Sequence, residues 1–438
     1  MRVRSGSVAL VVFVLVAAVA CTPSTAGRAG SPASPAARHD AMQMAATTTT
    51  TAAAATSATA ATASPEQLRG QFEQLLGRHA LLAVRLMRSV VSAAPDFRQA
   101  AVASLQENTG ALSQLVASAY GGAQGDRFKP LWQRHLTDLF SYASAVASSD
   151  EAARQTARAA LTADAGAYGA WLAEASKGRV RASDAAGGVR MHVEELMRQL
   201  DAYAARDYGQ AYRIEREAYE HMFTAGAALA RASRTPEVAV GVDAPPEELR
   251  SAFTMLLGEH MELIVDAQRA TFAGSPEFKA AAAQVNANTT ALTQGLAALV
   301  GPRKAAEFQS AWADHVEGLT AYTAAVAGGD EAGKVTAGKK LNNAVVELAV
   351  YFSGILRDQR ALVPLTGAIT MHDRHLGDQA DAYAARDYGT AQRLELDGYQ
   401  QMLGVASTLV DGIQRTLRPG MPVGGSQTGG GGTAHRPR

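Results

Sequence analysis

The chain has 438 residues, with 41 basic and 41 acidic side chains, so it carries no net charge when histidine is neutral. That balance argues against a nucleic-acid-binding protein, which shows a basic excess, and a single cysteine excludes an intramolecular disulfide. Hydrophobic residues make up 47%, but many are alanine, which favours helix and is uncommon in strand cores, so thin helical cores are expected.

Residues 1–21 read as a signal peptide. Arg2 and Arg4 precede an apolar run from Val8 to Val19, and Ala18-Val19-Ala20-Cys21 follows. A run of about a dozen residues is short for a bilayer span and fits a signal-peptide core. The cysteine after a small residue resembles a bacterial lipobox, although Ala18 stands where Leu or Val is usual. The resemblance implies lipidation at Cys21 and a membrane anchor through that lipid; an ordinary Ala-x-Ala secretion signal is the alternative. Residues 22–64 are Ala, Thr, Ser and Pro with almost nothing to bury, which predicts a disordered tether. At about 5–6 Å × √n it reaches roughly 35–40 Å. Residues 417–438 form a Gly-rich tail of the same kind.

Between these segments the chain is duplicated. Leu75-Leu76-Gly77-Arg78-His79 returns as Leu256-Leu257-Gly258-Glu259-His260, Asn108-Thr109 as Asn288-Thr289, and Met191-His192 as Met371-His372. The run DAYAARDYG at 201–209 recurs unchanged at 381–389. The period is of domain size, not that of a small-unit solenoid. The expected organisation is all-α: two tandem helical-bundle domains of about six helices each, 65–234 and 247–416, joined by a linker at 235–246. In the first copy, helices are expected over 65–93, 96–120, 126–147, 150–175, 189–205 and 208–231. Pro95, Gly121-Gly122, Gly178 and Gly187-Gly188 serve as breaks, and Asp150 and Asp207 as caps.

Each helix has an apolar seam interrupted by one polar residue. The third runs Phe128, Trp132, His135, Leu139, Tyr142, Val146, and its counterpart Phe308, Trp312, His315, Leu319, Tyr322, Val326. Steps of four and three place these on one stripe. The same reading puts His79, Asn108, His192 and Glu215 on the seams of four other helices, and His260, Asn288, His372 and Glu395 in the second copy. An isolated buried polar group costs about 1–3 kcal/mol, so several in a thin core are expected to meet each other or a shared ligand. Three histidines from three helices are a plausible transition-metal shell. The candidate ligands are His79, His135, His192, Glu215 and Met222 in the first copy, and His260, His315, His372, His375, Glu395 and Met402 in the second. Asn108 and Glu215 could instead accept the outer ring N–H of a ligating histidine. Copper is favoured over zinc, with the first site richer in thioether (Met87 where the second has Gln268) and the second in imidazole (His375 where the first has Glu195).

Catalytic signatures are absent: no Glu-x-x-His di-iron pair, no His-Glu-x-x-His, no Gly-x-Ser-x-Gly and no phosphate-binding glycine loop. The Leu-Leu-Gly-x-His, Asn-Thr, Trp-x-x-His and Met-His pattern behind a lipobox resembles a family of uncharacterised bacterial extracytoplasmic helical proteins, over 66–232 and 247–414. It is more distantly similar to ferritin-like extracytoplasmic metal-binding bundles. The first resemblance implies location and fold but no chemistry. The expectation is therefore a non-enzymatic, lipid-anchored cell-envelope protein that sequesters or delivers a transition metal, with no nucleic-acid partner and an unidentified protein partner. The alternatives are a structural or protein-interaction lipoprotein whose histidines only organise the core, and a non-covalent haem binder.

Overall fold

The structure, a computed structural model, describes residues 63–92 and 95–417. The expected signal peptide, Cys21, nearly all of the tether and the tail beyond residue 417 lie outside them. The first repeat folds as α1 (Pro65–Val91), α2 (Pro95–Tyr120), α3 (Gly122–Ser148), α4 (Glu151–Ala175), α5 (Ala182–Ala204) and α6 (Tyr208–Ala232). A one-turn helix, α7 (Pro236–Ala239), and a 3-10 turn (Val240–Asp243) lead into the second. That repeat comprises α8 (Pro245–Phe272), α9 (Phe278–Val300), α10 (Pro302–Gly328), α11 (Glu331–Leu356), α12 (Leu362–Ala384) and α13 (Tyr388–Leu417). Among the described residues there is no strand, and no helix is long and apolar enough to cross a membrane.

Local chemistry sets these boundaries. Ser64 and Gln67 form a reciprocal capping box ahead of Pro65. Asp150 and Asp330 accept backbone N–H bonds at the starts of α4 and α11. The unchanged DAYAARDYG run is a helix-to-helix corner. Arg206 and Arg386 both sit at φ 61°, and Asp207 and Asp387 cap the next helix by accepting from the residue three on. Asp201 at its start accepts from the Tyr142 hydroxyl at 2.9 Å and pairs with Arg154 at 2.7 Å. Asp381 does the same with Tyr322 and Lys334. The run is thus preserved by turn geometry and a brace to two other helices.

Two expected boundaries shift. α3 begins at Gly122, and α5 begins at Ala182 with Gly187-Gly188 inside it. The turn is made earlier, by Lys177 and Gly178 at φ 53° and 79°, and alanine-rich flanks carry the helix through the glycine pair. The 235–246 linker is also packed. Val242 is buried, and its carbonyl accepts from Arg69 at 2.6 Å.

In each repeat the six helices close into a ring, every helix packed on the next and the sixth on the first. The first, third and fifth helices also touch one another across the ring. The repeats meet as the halves of a two-fold dimer would, with α1 against α8, α2 against α13 and α9 against α6. Tyr219 and Tyr399 join hydroxyls at 2.9 Å across this joint. The glycines of the two Leu-Leu-Gly motifs make room for that pair. A Cβ on Gly77 would lie 2.9 Å from the Tyr219 ring, and one on Gly258 2.8 Å from the Tyr399 ring. Leu81, Tyr212, Tyr219 and Phe223 of the first repeat belong to the same apolar cluster as the second repeat's core.

Candidate metal centre

The converging helices α1, α3 and α5 carry His79, His135 and His192, and α8, α10 and α12 carry His260, His315 and His372. All six imidazoles are buried. In each triad one ligating atom per residue can be chosen so that all lie within 4.8 Å of one another, and either triad could hold a metal ion. Ring centroids stand 5.5–5.7 Å apart in the first triad and 5.4–5.6 Å in the second. Nε2 of His79 and Nε2 of His192 are 3.4 Å apart. Metal–nitrogen bonds of about 2.0–2.1 Å at trigonal or tetrahedral angles place nitrogens roughly 3.3–3.6 Å apart, so this pair already stands at coordinating distance. Trp132 lies over His79 at 4.4 Å and Trp312 over His260 at 4.5 Å, each backed by a phenylalanine at 5.2 Å. These rings form a dry wall on one side of each triad.

Ten of the twelve ring nitrogens in the two triads have no hydrogen-bond partner within the protein. Burial holds His79, His192, His260 and His372 well below the ordinary histidine value, and the neighbouring imidazoles add to it. Burial alone brings His135 down to about 4. These five rings are therefore neutral at physiological pH, the form that ligates metal.

His135 stays neutral in the fold to about pH 4, whereas the unfolded chain takes up the proton near 6.5. The stability contributed by this depressed group is present above pH 6.5 and lost as pH falls toward 4. With carbon-13-labelled histidine, the His135 ring signal is expected to stay flat from about pH 8 to 5.5. A midpoint near 6.5 would show that water and protons reach the site freely.

The structure places the other candidates unequally. Met222 lines a cavity with His135 and His192, and Met402 lines one with His315 and His372. Glu215 and Glu395 are not at the triads. Glu215 pairs with Arg88 at 2.8 Å, and Glu395 pairs with Arg85 and Arg269. Both carboxylates sit where the repeats meet, because their helices turn that part of the seam toward the joint and its buried arginines. Burial pushes Glu215 up to about 7 against the pull of Arg88. His375 is one turn beyond His372 and packs on Gly398 of α13, outside the triad. His221 bonds Glu195 through Nδ1 at 3.0 Å. Asn108 and Asn288 brace the bundle by donating to the carbonyls of Leu75 and Leu256 at 3.0 and 2.9 Å, not by accepting from imidazole. Met191 and Met371 are half exposed, at 52%, and face away from the triads.

One neighbour escaped the sequence reading. A carboxylate oxygen of Asp373 lies 3.2 Å from Nδ1 of His315, off the line of a hydrogen bond. The first repeat has Val193 at this position. The signal was present as Met-His-Asp against Met-His-Val, but only the fold shows that the residue after His372 turns back toward His315.

Comparison with protein-family models, curated proteins and solved structures finds no match for the chain.

Proposed function

We propose that the protein binds one transition-metal ion in each repeat, copper ahead of zinc, and serves in the cell envelope to sequester or deliver it without catalysing a reaction. The observation that carries this reading is the pair of buried three-histidine clusters whose ring nitrogens converge and lack partners of their own. A core that used histidine only for packing would leave these polar atoms unpaired, at about 1–3 kcal/mol for each lost bond. Three imidazoles with a methionine lining the same cavity are a soft donor set that suits Cu(I). The clustering also favours an ion over haem. Axial ligation needs a clear plane for the macrocycle, and rings 5.4–5.7 Å apart around one point leave none. The envelope location rests on the signal-like segment and Cys21.

Calorimetric titration of metal-free protein with Cu(I), Cu(II) and Zn(II) should show two ions per chain. His135→Ala should remove one and His315→Ala the other. Tighter Zn(II) than Cu(I) binding would reassign the metal. No binding tighter than about micromolar, roughly −8 kcal/mol, would sink the reading.

A further inference from the structure

The two triads are near-copies, but the space beside them differs. Next to His135 and His192 lies a cavity of about 330 Å³. Its counterpart next to His315 and His372 is about 30 Å³, enough for one water. The residues explain the difference. Ala185, Gly188, Val189 and Ala225 line the first cavity, and at the matching positions Leu365, Ala368, Ile369 and Val405 line the second. Each substitution adds carbon, and together they fill the volume. The first cavity opens between α5 and α6, where Asp184, Thr224 and Ala228 are exposed.

The walls are apolar and aromatic, with Phe128, Trp132, Tyr168 and Trp171 among them. Two buried donors line it without a partner in the protein, the Tyr168 hydroxyl and the Trp132 indole N–H. The second repeat has Leu348 in place of Tyr168. A purely apolar void asks for nothing but carbon; this one also presents unpaired donors. Its volume is roughly twice the ~150 Å³ engineered cavity that holds one benzene, and it falls at the small end of ligand pockets. Asp184 at the mouth is paired with Arg181 at 2.8 Å, so the apolar walls set the preference, which is for a neutral molecule.

We propose that the first repeat, and not the second, binds a small neutral aromatic molecule of one or two rings bearing an oxygen acceptor. Its rings lie among Phe128, Trp132 and Trp171, and its oxygen accepts from Tyr168. The cavity needs no metal to hold such a molecule. Only the further step, in which the oxygen approaches an ion held by His135 and His192, rests on the metal reading above. The first repeat is then a site where an organic molecule and an ion meet, and the second a closed store.

The test uses 2-naphthol as probe on the full chain, by calorimetry, metal-free and Zn(II)-loaded. One molecule should bind per chain in the metal-free protein. Tyr168→Phe should weaken binding several-fold, the loss of one hydrogen bond. The triple variant Ala185→Leu, Gly188→Ala, Ala225→Val should weaken it at least tenfold while keeping two metal ions and the helical circular dichroism signal. Should that variant not fold, the reverse set, Leu365→Ala, Ile369→Val, Val405→Ala, should create a second naphthol site. Saturation absent in wild type up to the probe's solubility, or a reverse set that gains no site, overturns the proposal. Naphthol binding without metal binding would refute the metal reading alone, and metal binding without naphthol the cavity alone.

Discussion

Replacing Arg85 by alanine is expected to lower the unfolding free energy by about 3–5 kcal/mol, a large share of the roughly 5–15 kcal/mol that holds a typical domain together. Arg85 is buried on α1 at the joint between the repeats, where it pairs with Glu262 and Glu395 and lies 3.6 Å from Asp266. Burial pulls its pKa down, and the carboxylates of Glu262 and Asp266 outweigh that and raise it. Removing the guanidinium leaves Glu262, Asp266 and Glu395 with Arg269 and Arg88 as the remaining cations near them, while burial already pushes Glu262 up. The double variant Arg85→Ala, Glu262→Gln should recover part of the loss, because it removes one of the stranded charges. Guanidinium unfolding followed by circular dichroism checks both. A single-variant loss below about 1 kcal/mol would mean that water reaches the cluster and that the joint is held by the Tyr219–Tyr399 region instead.

The helices were legible because their signals are local: apolar residues in steps of three and four, aspartate caps, and prolines at helix starts. The triads were legible for a related reason. A histidine breaking an apolar stripe shows which face it is on, and recurrence on every second helix matches the ring topology, in which α1, α3 and α5 meet across the centre. Glu215 and Glu395 break their stripes in the same manner, yet they serve Arg88, Arg85 and Arg269. Periodicity reports that a side chain is buried and is silent on whether it faces its own bundle or the neighbouring repeat. Gly77 carries the same lesson. Its motif marks the helix of His79, but the missing side chain answers to Tyr219 and Phe223 on α6. The unequal cavities were visible as Ala185 against Leu365 and Ala225 against Val405, but nothing in the sequence says that these positions border the triads.

The two triads also differ in how they would hold an ion. Asp373 puts a carboxylate oxygen 3.2 Å from Nδ1 of His315, while Val193 gives the first repeat no such neighbour. The second repeat combines a histidine beside a carboxylate with a filled neighbourhood, and the first a triad without that neighbour and with an open one. Retention suits the closed site and exchange suits the open one.

Loading both triads with Cu(I) is expected to stabilise the fold by about 4 kcal/mol per site at a free ion concentration a thousandfold above Kd. The increment arises because the unfolded chain scatters over distant helices the three imidazoles that the fold brings together. The triads sit in separate rings, so the two increments should add. His135→Ala should remove one and His315→Ala the other. In metal-free protein the same substitutions should cost only the packing lost with the ring, with no hydrogen bond lost and no copper increment on top. This difference between the two conditions separates ligands from core residues. A histidine that only fills space would show the same loss with and without copper. Guanidinium titrations under reducing conditions, with and without buffered Cu(I), measure it. A wild-type midpoint that does not move with copper would return all six histidines to a packing role.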